Sequence, residues 1–352
     1  MTQTRTITVE PLGVTVQCAP DQNILDACLR QGVNVPHACT HGTCGTCKVE
    51  ILDGDVDLGD ASVFALLDSE RTEGKALICT ATPRSDVTIE ADIEEEDGVT
   101  YHPVRDFSAT VASIEDCARE TRRVLLDLDG DIEFNPGQYV QVTIPGAGVT
   151  RSWSMANPPG QPRRIELQIK RTPGGLGTDG WVFKSLAVGD TVQVSGPFGR
   201  FFLREARDEP AILIGGGTGL APLKAMVRHA LETGSQQRLH LYHGVRTQAD
   251  LYDLEFFQDL ERLFPDQFSY RPVLSDEEVV GIRTGFVTDA VDADFDTCRG
   301  HVAYLCGPPV MVDAALKMLM RKRLFPRDIY REDFFDASDK AGGVRSPLIR
   351  TG

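Results

Sequence analysis

No apolar run in this chain of 352 residues approaches the roughly 18 residues that a membrane-spanning helix needs. Residues 1–10 read as an immediate strand, without the apolar core of a signal peptide. A cytoplasmic protein without membrane contact is the expectation. Positive charge is scarce as well: 36 Lys and Arg stand against 52 Asp and Glu, a net charge of −16. That argues against nucleic acid as a partner, because a phosphate backbone calls for a basic surface. Internal repeats and low-complexity tracts are missing too. What remains is ordinary for a folded chain, 41% hydrophobic and 25% charged, and long enough for two or three domains.

The chain has nine cysteines, an odd number with no secretion signal, so reduced thiols fit better than a disulfide framework. Four of them carry ligand spacing: Cys39, Cys44 and Cys47 as C-x4-C-x2-C, then the distant Cys79. This is the plant-type spacing for a 2Fe-2S cluster, in which two sulfide-bridged irons take four thiolates. Gly42 and Gly45 let the backbone curl around the sulfurs. Zinc is the rival, but a zinc site pairs one C-x2-C with a second or with two histidines, and neither follows here. Cys18, Cys28, Cys117 and Cys298 lack ligand spacing and read as structural thiols. His37 and His41 flank the loop, where surface or packing roles are favoured over tuning of the cluster, as they are for His240 and His243.

Composition suggests boundaries at the acidic run ending near Gly98 and at Arg207-Asp-Glu-Pro210. Residues 1–98 hold 18 acidic against 6 basic side chains, so most of the net charge sits with the cysteines. There, residues 6–10 and 14–18 alternate as a hairpin around Gly13, and Asp21 can cap a helix containing Ile24, Leu25, Ala27 and Cys28. Residues 104–205 are strand-rich with Gly and Pro turns, the pattern of an antiparallel barrel. Residues 206–336 alternate strands at 211–214, 239–243 and 302–305 with helices at 220–231, 254–263 and 310–321, the pattern of a parallel sheet. Residues 337–352 form a polar tail. The fold class is α+β and multidomain.

The barrel segment holds Arg151-Ser-Trp153-Ser154 and, further on, Gly174-Gly175-Leu-Gly177-Thr178. A guanidinium donates in a planar fork that suits a diphosphate, and a glycine-rich turn can offer backbone donors to the same charge. Alone, the motif could be an ordinary strand with an exposed Arg and a core Trp. The third segment opens with Gly215-Gly216-Gly217-Thr218-Gly219-Leu-Ala-Pro222 between a strand and a helix, a place that favours phosphates. It is not the strict dinucleotide fingerprint, since Leu220 stands where the last glycine belongs and Arg246 follows Gly244 in place of a ribose-binding acid. Cys306-Gly307-Pro308-Pro309 leaves another strand. Each of these is by itself no more than a tight turn before a helix.

The Arg-x-aromatic-Ser motif resembles that of the ferredoxin-NADP reductase superfamily. The resemblance implies FAD, with Arg151 at its phosphate, Trp153 along its ring, Ser154 at its reactive edge, and Lys170, Gly175, Gly177 and Thr178 among its contacts. Trp153 stands where the superfamily has Tyr or Phe. It also implies that residues 215–222 and Cys306, Gly307 and Pro308 bind the nicotinamide nucleotide, with Ser154 and Cys306 at the hydride-transfer position and Phe335 near the flavin. Arg246 and Asp250 leave the choice of nucleotide open; the resemblance favours NADH.

The order of a β-grasp ferredoxin domain, an antiparallel β-barrel FAD domain and an α/β parallel-sheet nucleotide domain resembles the reductase components of bacterial oxygenases. Residues 41–49, 62–71 and 323–330 are similar to those of phenol hydroxylase reductases of di-iron monooxygenases, with propane and alkene monooxygenase reductases as further relatives. That implies an electron-transfer enzyme passing electrons from NADH through FAD and the cluster to a hydroxylase. The acidity of the ferredoxin domain suits docking of a partner with a basic surface, steered by the field, and equally suits simple solubility. The alternative is a reductase serving a Rieske-type aromatic ring dioxygenase. A redox sensor without turnover is a third class, which two intact nucleotide motifs argue against.

Overall fold

The computed structural model describes residues 4–93, 96 and 98–334. Two compact units emerge, one containing the residues up to Arg105 together with Pro197–Arg200, the other Asp106–Gly196 and Phe201–Phe334. Among the described residues no helix is long and apolar enough to cross a membrane.

The first unit is a β-grasp arrangement. Strands β1 (Arg5–Glu10) and β2 (Val14–Cys18) form a hairpin, α1 (Ile24–Arg30) follows, and β3 (Lys48–Asp53), β4 (Val56–Asp57), α2 (Asp68–Thr72), β5 (Lys75–Leu77), β6 (Thr82–Pro83) and β7 (Val87–Glu90) complete it. The main sheet has the order β2-β1-β7-β3-β5, with β1 and β7 parallel. Alternation buries Ile7, Val9, Val16 and Ile89, and α1 buries Ile24, Leu25, Ala27 and Cys28. The cap of α1 is Asn23 rather than Asp21: its Oδ1 accepts the Asp26 N–H at 2.8 Å. Asn23 immediately precedes the first helical residue, the only place from which a short side chain reaches that donor.

The second unit contains an antiparallel barrel and a parallel sheet. The barrel strands are β8 (Arg105–Ala118), β9 (Thr121–Leu128), β10 (Tyr139–Ile144), β11 (Val149–Ser154), β12 (Arg164–Lys170) and β13 (Thr191–Phe198), in the order β11-β10-β13-β8-β9-β12. A bridge from Met155 to Leu167 brings the two ends of this order together. Val140, Val142, Leu126, Ile165, Leu167 and Ile169 fill the interior. Asn157 sutures the closure: its Oδ1 accepts the Glu166 N–H at 2.7 Å and its Nδ2 donates to the Arg164 carbonyl at 2.9 Å.

The parallel sheet is formed by β14 (Ala211–Gly216), β15 (Leu239–Val245), β16 (Phe268–Leu274), β17 (Arg283–Thr284), β18 (Val302–Gly307) and β19 (Ile329–Asp333), ordered β17-β16-β15-β14-β18-β19. Helices α3 (Leu220–Glu232), α4 (Leu254–Leu263), α5 (Val287–Asp294) and α6 (Pro309–Arg321) cover it. β14 and β18 are buried at every position, as strands covered on both faces must be. The order reverses between β14 and β18, so the crevice at their carboxyl ends is the expected ligand site.

Asn157→Ala would strand the Glu166 N–H and the Arg164 carbonyl in a dry closure. The expected loss is about 2 kcal/mol, read as a fall of about 4–8 °C in the thermal midpoint of this unit. A midpoint unchanged within about 1 °C would show that the suture is dispensable.

Candidate functional site

In the first unit the cysteine loop runs through left-handed backbone at Thr40, Gly42 and Gly45, with φ of 58°, 77° and 76°. Only glycine adopts this region freely. At Gly42 there is also no room, since an added Cβ would lie 2.8 Å from Thr80 Cγ2, beside the fourth cysteine. The sulfurs meet in two pairs. The Cys44 thiol donates to Cys39, and a second thiol bond joins Cys79 to Cys47. The Cys44 bond holds the Cys39 thiol well below the usual range, against the opposing effect of burial. The same bond and burial push Cys44 up, and the Cys47 bond with burial pushes Cys79 up. Among the described residues no group of three or more His, Cys, Asp or Glu converges closely enough to hold a metal ion. Thiols paired two by two suit two irons instead, each taking two thiolates.

Backbone N–H groups of Thr43 and Cys44 point at the Cys39 sulfur, at 3.5 and 3.4 Å. His37 does not reach a sulfur. It is buried, its Nδ1 is 2.8 Å from the Val35 carbonyl, and its Nε2 accepts the Gly199 N–H at 2.9 Å. Burial lowers its pKa to about 4, so the ring is neutral.

In the second unit, strand pairing places His243, Gly215, Cys306 and Glu332 in one row across β15, β14, β18 and β19. The two turn motifs touch through bare backbone: a Cβ on Gly219 would lie 2.1 Å from the Cys306 carbonyl oxygen. Gly216 packs on Pro308 and Met311, and Gly307, with φ of 146°, packs on Gly216. Pro222 lies buried in the first turn of α3. Gly217 differs, for an added Cβ there would meet nothing within 4 Å. The outer side of the turn is open.

Ser154 ends β11 buried, its Oγ donating to Glu332 Oε2 at 3.5 Å. Glu332 is half-buried, and desolvation followed by the nearby Asp333 carboxyl pushes its pKa up to about 8, against the Ser154 hydrogen bond. Burial, then Glu332 and Asp333, push the Cys306 thiol well above its usual range. Cys306 is therefore a neutral thiol. Sequence reasoning brought Ser154 and Cys306 to this place but missed Glu332. No motif marks it; only the register of β18 with β19 puts it beside Cys306.

Arg151 is exposed on β11, one N–H donating to the Thr150 carbonyl at 2.8 Å. The turn Gly175–Thr178 packs against its stem, so that a Cβ on Gly177 would lie 2.8 Å from Arg151 Cγ. Thr178 begins a short π-helix ending at Val182, a rare form often found at functional sites. Trp153 stacks on Trp181, ring centroids 6.3 Å apart. The donor set, a guanidinium beside a glycine-rich turn, fits a diphosphate. Lys170 is different: the charges acting on it belong to Arg246, Asp250, Arg119 and Glu120. Asp250 is itself engaged, accepting from Thr247 and from Arg119 Nη2 at 2.8 Å. Phe335 lies outside the described residues.

Three family models match this chain: a 2Fe-2S iron-sulfur cluster binding domain over residues 7–84, an oxidoreductase FAD-binding domain over 108–203 and an oxidoreductase NAD-binding domain over 213–317. The phenol hydroxylase P5 protein of Acinetobacter pittii is 46% identical over 350 residues, covering 98% of both chains. The chain belongs to the phenol hydroxylase reductase family. The phenol 2-monooxygenase reductase component DmpP of a Pseudomonas species is 45% identical, again over 98% of both. The crystal structure of the Amycolatopsis cytochrome P-450 reductase GcoB matches with a TM-score of 0.89 and 45% identity, covering 94% of this chain and 98% of that one. As a member of this family, the protein is an NADH-dependent oxidoreductase that carries FAD and a 2Fe-2S cluster.

The raised pKa of Glu332 has a sign that can be read. Its carboxyl titrates near 8 when folded against an ordinary 4.5. The fold thus opposes ionisation, and stability is lost as pH rises from the lower value through the higher. Glu332→Gln stays neutral, so in FAD-free protein it should raise the thermal midpoint more at about pH 8.5 than at about pH 5. Equal shifts at both would contradict the assignment.

Proposed function

We propose that this reductase passes electrons from NADH through FAD and the cluster to the hydroxylase of a multicomponent monooxygenase acting on phenol-like or small hydrocarbon substrates. The observation that carries this reading is the co-occurrence, in one chain, of the paired thiols, the Arg151 site and the meeting of Gly219 with Cys306. NADH supplies two electrons as a hydride, FAD accepts both and releases them singly, and the cluster carries one at a time. The chain positions and insulates these groups. Arg151 and the Gly175–Thr178 turn hold the flavin diphosphate, and Trp153 flanks the ring. The turns at 215–222 and 306–309 hold the nicotinamide nucleotide, while Ser154, Cys306 and the protonated Glu332 carboxyl line the point of hydride transfer. Cys306 serves as a neutral thiol of small bulk rather than as a nucleophile, since burial keeps it from ionising.

The acidic first unit is the face we assign to the hydroxylase. Beside the cysteine loop, where the Ser62 N–H donates to the Gly42 carbonyl, Val63, Phe64 and Leu67 are exposed between Asp60 and Asp68. Exposed apolar side chains ringed by acids suit a partner with a basic rim, steered by charge and seated by burial. A haem monooxygenase is a second reading of the partner, favoured by the likeness to GcoB, a cytochrome P-450 reductase. Cytoplasmic residence fits either partner.

Cys44→Ser would remove one thiolate of the cluster and leave the second unit intact. NADH should still reduce the flavin at near the normal rate, whereas reduction of cytochrome c and transfer to the hydroxylase should fall by at least about tenfold. Normal transfer to the hydroxylase in that variant would overturn the cluster assignment.

A further inference from the structure

The Gly217 carbonyl has more donors than a turn needs. It closes a tight turn onto the Leu220 N–H, and from the other side it accepts His243 Nε2–H at 3.1 Å and the Tyr252 hydroxyl at 3.1 Å. Gly217 has φ of 55°, and glycine passes between left- and right-handed backbone at little cost, so without restraint this peptide could flip. In a planar trans peptide the carbonyl and the following N–H point in opposite directions. Pinning the Gly217 oxygen inward therefore aims the Thr218 N–H away from His243 and Tyr252, in a turn whose Gly217 has open space beside it. We infer that His243 and Tyr252 are positioning residues for NADH, clamping the Gly217 carbonyl so that the Thr218 N–H stands ready for the nucleotide's phosphates. This rests on the reading of residues 215–222 as the nicotinamide-nucleotide turn.

Both clamps are themselves held. The Gly217 carbonyl can only accept, so His243 carries its proton on Nε2, and Nδ1 is left to accept the Tyr270 hydroxyl at 3.3 Å. The His243 ring is fully buried and meets the Tyr252 ring edge to face at 5.5 Å. Tyr252 is followed by Asp253 in left-handed backbone, φ 54°. The Asp253 carboxylate is gripped by Arg123, by Gln168 Nε2 at 2.8 Å and by Lys224 Nζ at 2.8 Å, and Lys224 also reaches Glu166 at 2.8 Å. Arg123, Glu166 and Gln168 lie on barrel strands β9 and β12, while Lys224 lies on the helix that the glycine turn opens. The clamp on the turn is thus referenced to barrel strands β9 and β12.

The test uses the FAD- and cluster-loaded protein, mixed anaerobically with NADH while flavin absorbance is followed. Tyr252→Phe removes one hydroxyl and nothing else. It should weaken NADH affinity about fivefold, the scale of one lost hydrogen bond. His243→Leu should weaken it comparably, and His243→Gln, which keeps an N–H donor, should recover part of the loss. FAD content, thermal midpoint and photoreduction of flavin and cluster should match the wild type in Tyr252→Phe. NADH affinity within about twofold of wild type in both Tyr252→Phe and His243→Leu would overturn the inference. So would a loss in Tyr252→Phe that tracks lost FAD or a lowered midpoint. If the wild-type flavin were not reduced by NADH at all, the reading of the turn as the NADH site would fail first, and the clamp with it.

Discussion

Two backbones cross at the carboxyl ends of β14 and β18 with no space for a side chain between them. Gly219 lies against the Cys306 carbonyl, and Gly307 lies against Gly216. Gly216, Gly219 and Gly307 each have to be glycine, because an added Cβ would meet its neighbours at 2.6, 2.1 and 3.0 Å where the strands are buried on both faces. The closeness is what makes the site. It brings the turn of one motif and the thiol of the other to the same point of the reversal in strand order, and it carries β19 and Glu332 alongside. If the crossing opened, the row from His243 to Glu332 would lose its register, and the nucleotide turn would no longer face the barrel's Ser154.

Charge is handled differently in the two units. In the second, ionisable groups are buried in compensated sets: Lys224 and Arg123 against Glu166 and Asp253. Removing one member of such a set leaves an uncompensated charge, which is far more costly than the intact set is stabilising. Among the described residues no cation contributes to the shift of Glu332, and a retained proton is the alternative to a counter-charge. In the first unit the carboxylates stay mostly in water, where they contribute a long-range field rather than packing.

Much of this was legible in the sequence. The cysteine spacing, Arg151 to Ser154 and the glycine turns are local patterns whose chemistry depends on neighbours a few residues away. The barrel and the parallel sheet followed from alternation and from strand–helix order. What the sequence hid is long-range. Glu332 meets Ser154 across 178 positions of chain, and nothing in Ile329-Tyr-Arg-Glu-Asp333 singles it out from its acidic neighbour. His243 reads as an ordinary strand residue until β15 is laid beside β14. His37 looked like a surface or packing residue; packing is the part that holds, and both ring nitrogens are spent on backbone. Asp21 and Asn23 are two residues apart and both able to cap, so only the helix start distinguishes them.

The central claim is that one chain binds NADH, a flavin and a cluster and passes electrons among them. Anaerobic titration of the purified protein with NADH, followed by visible absorption, tests it most directly. The account predicts that flavin and cluster both bleach, with uptake of about three electrons per chain, two by FAD and one by the cluster. Bleaching of the flavin alone, with an intact cluster left oxidised at the end of the titration, would contradict it.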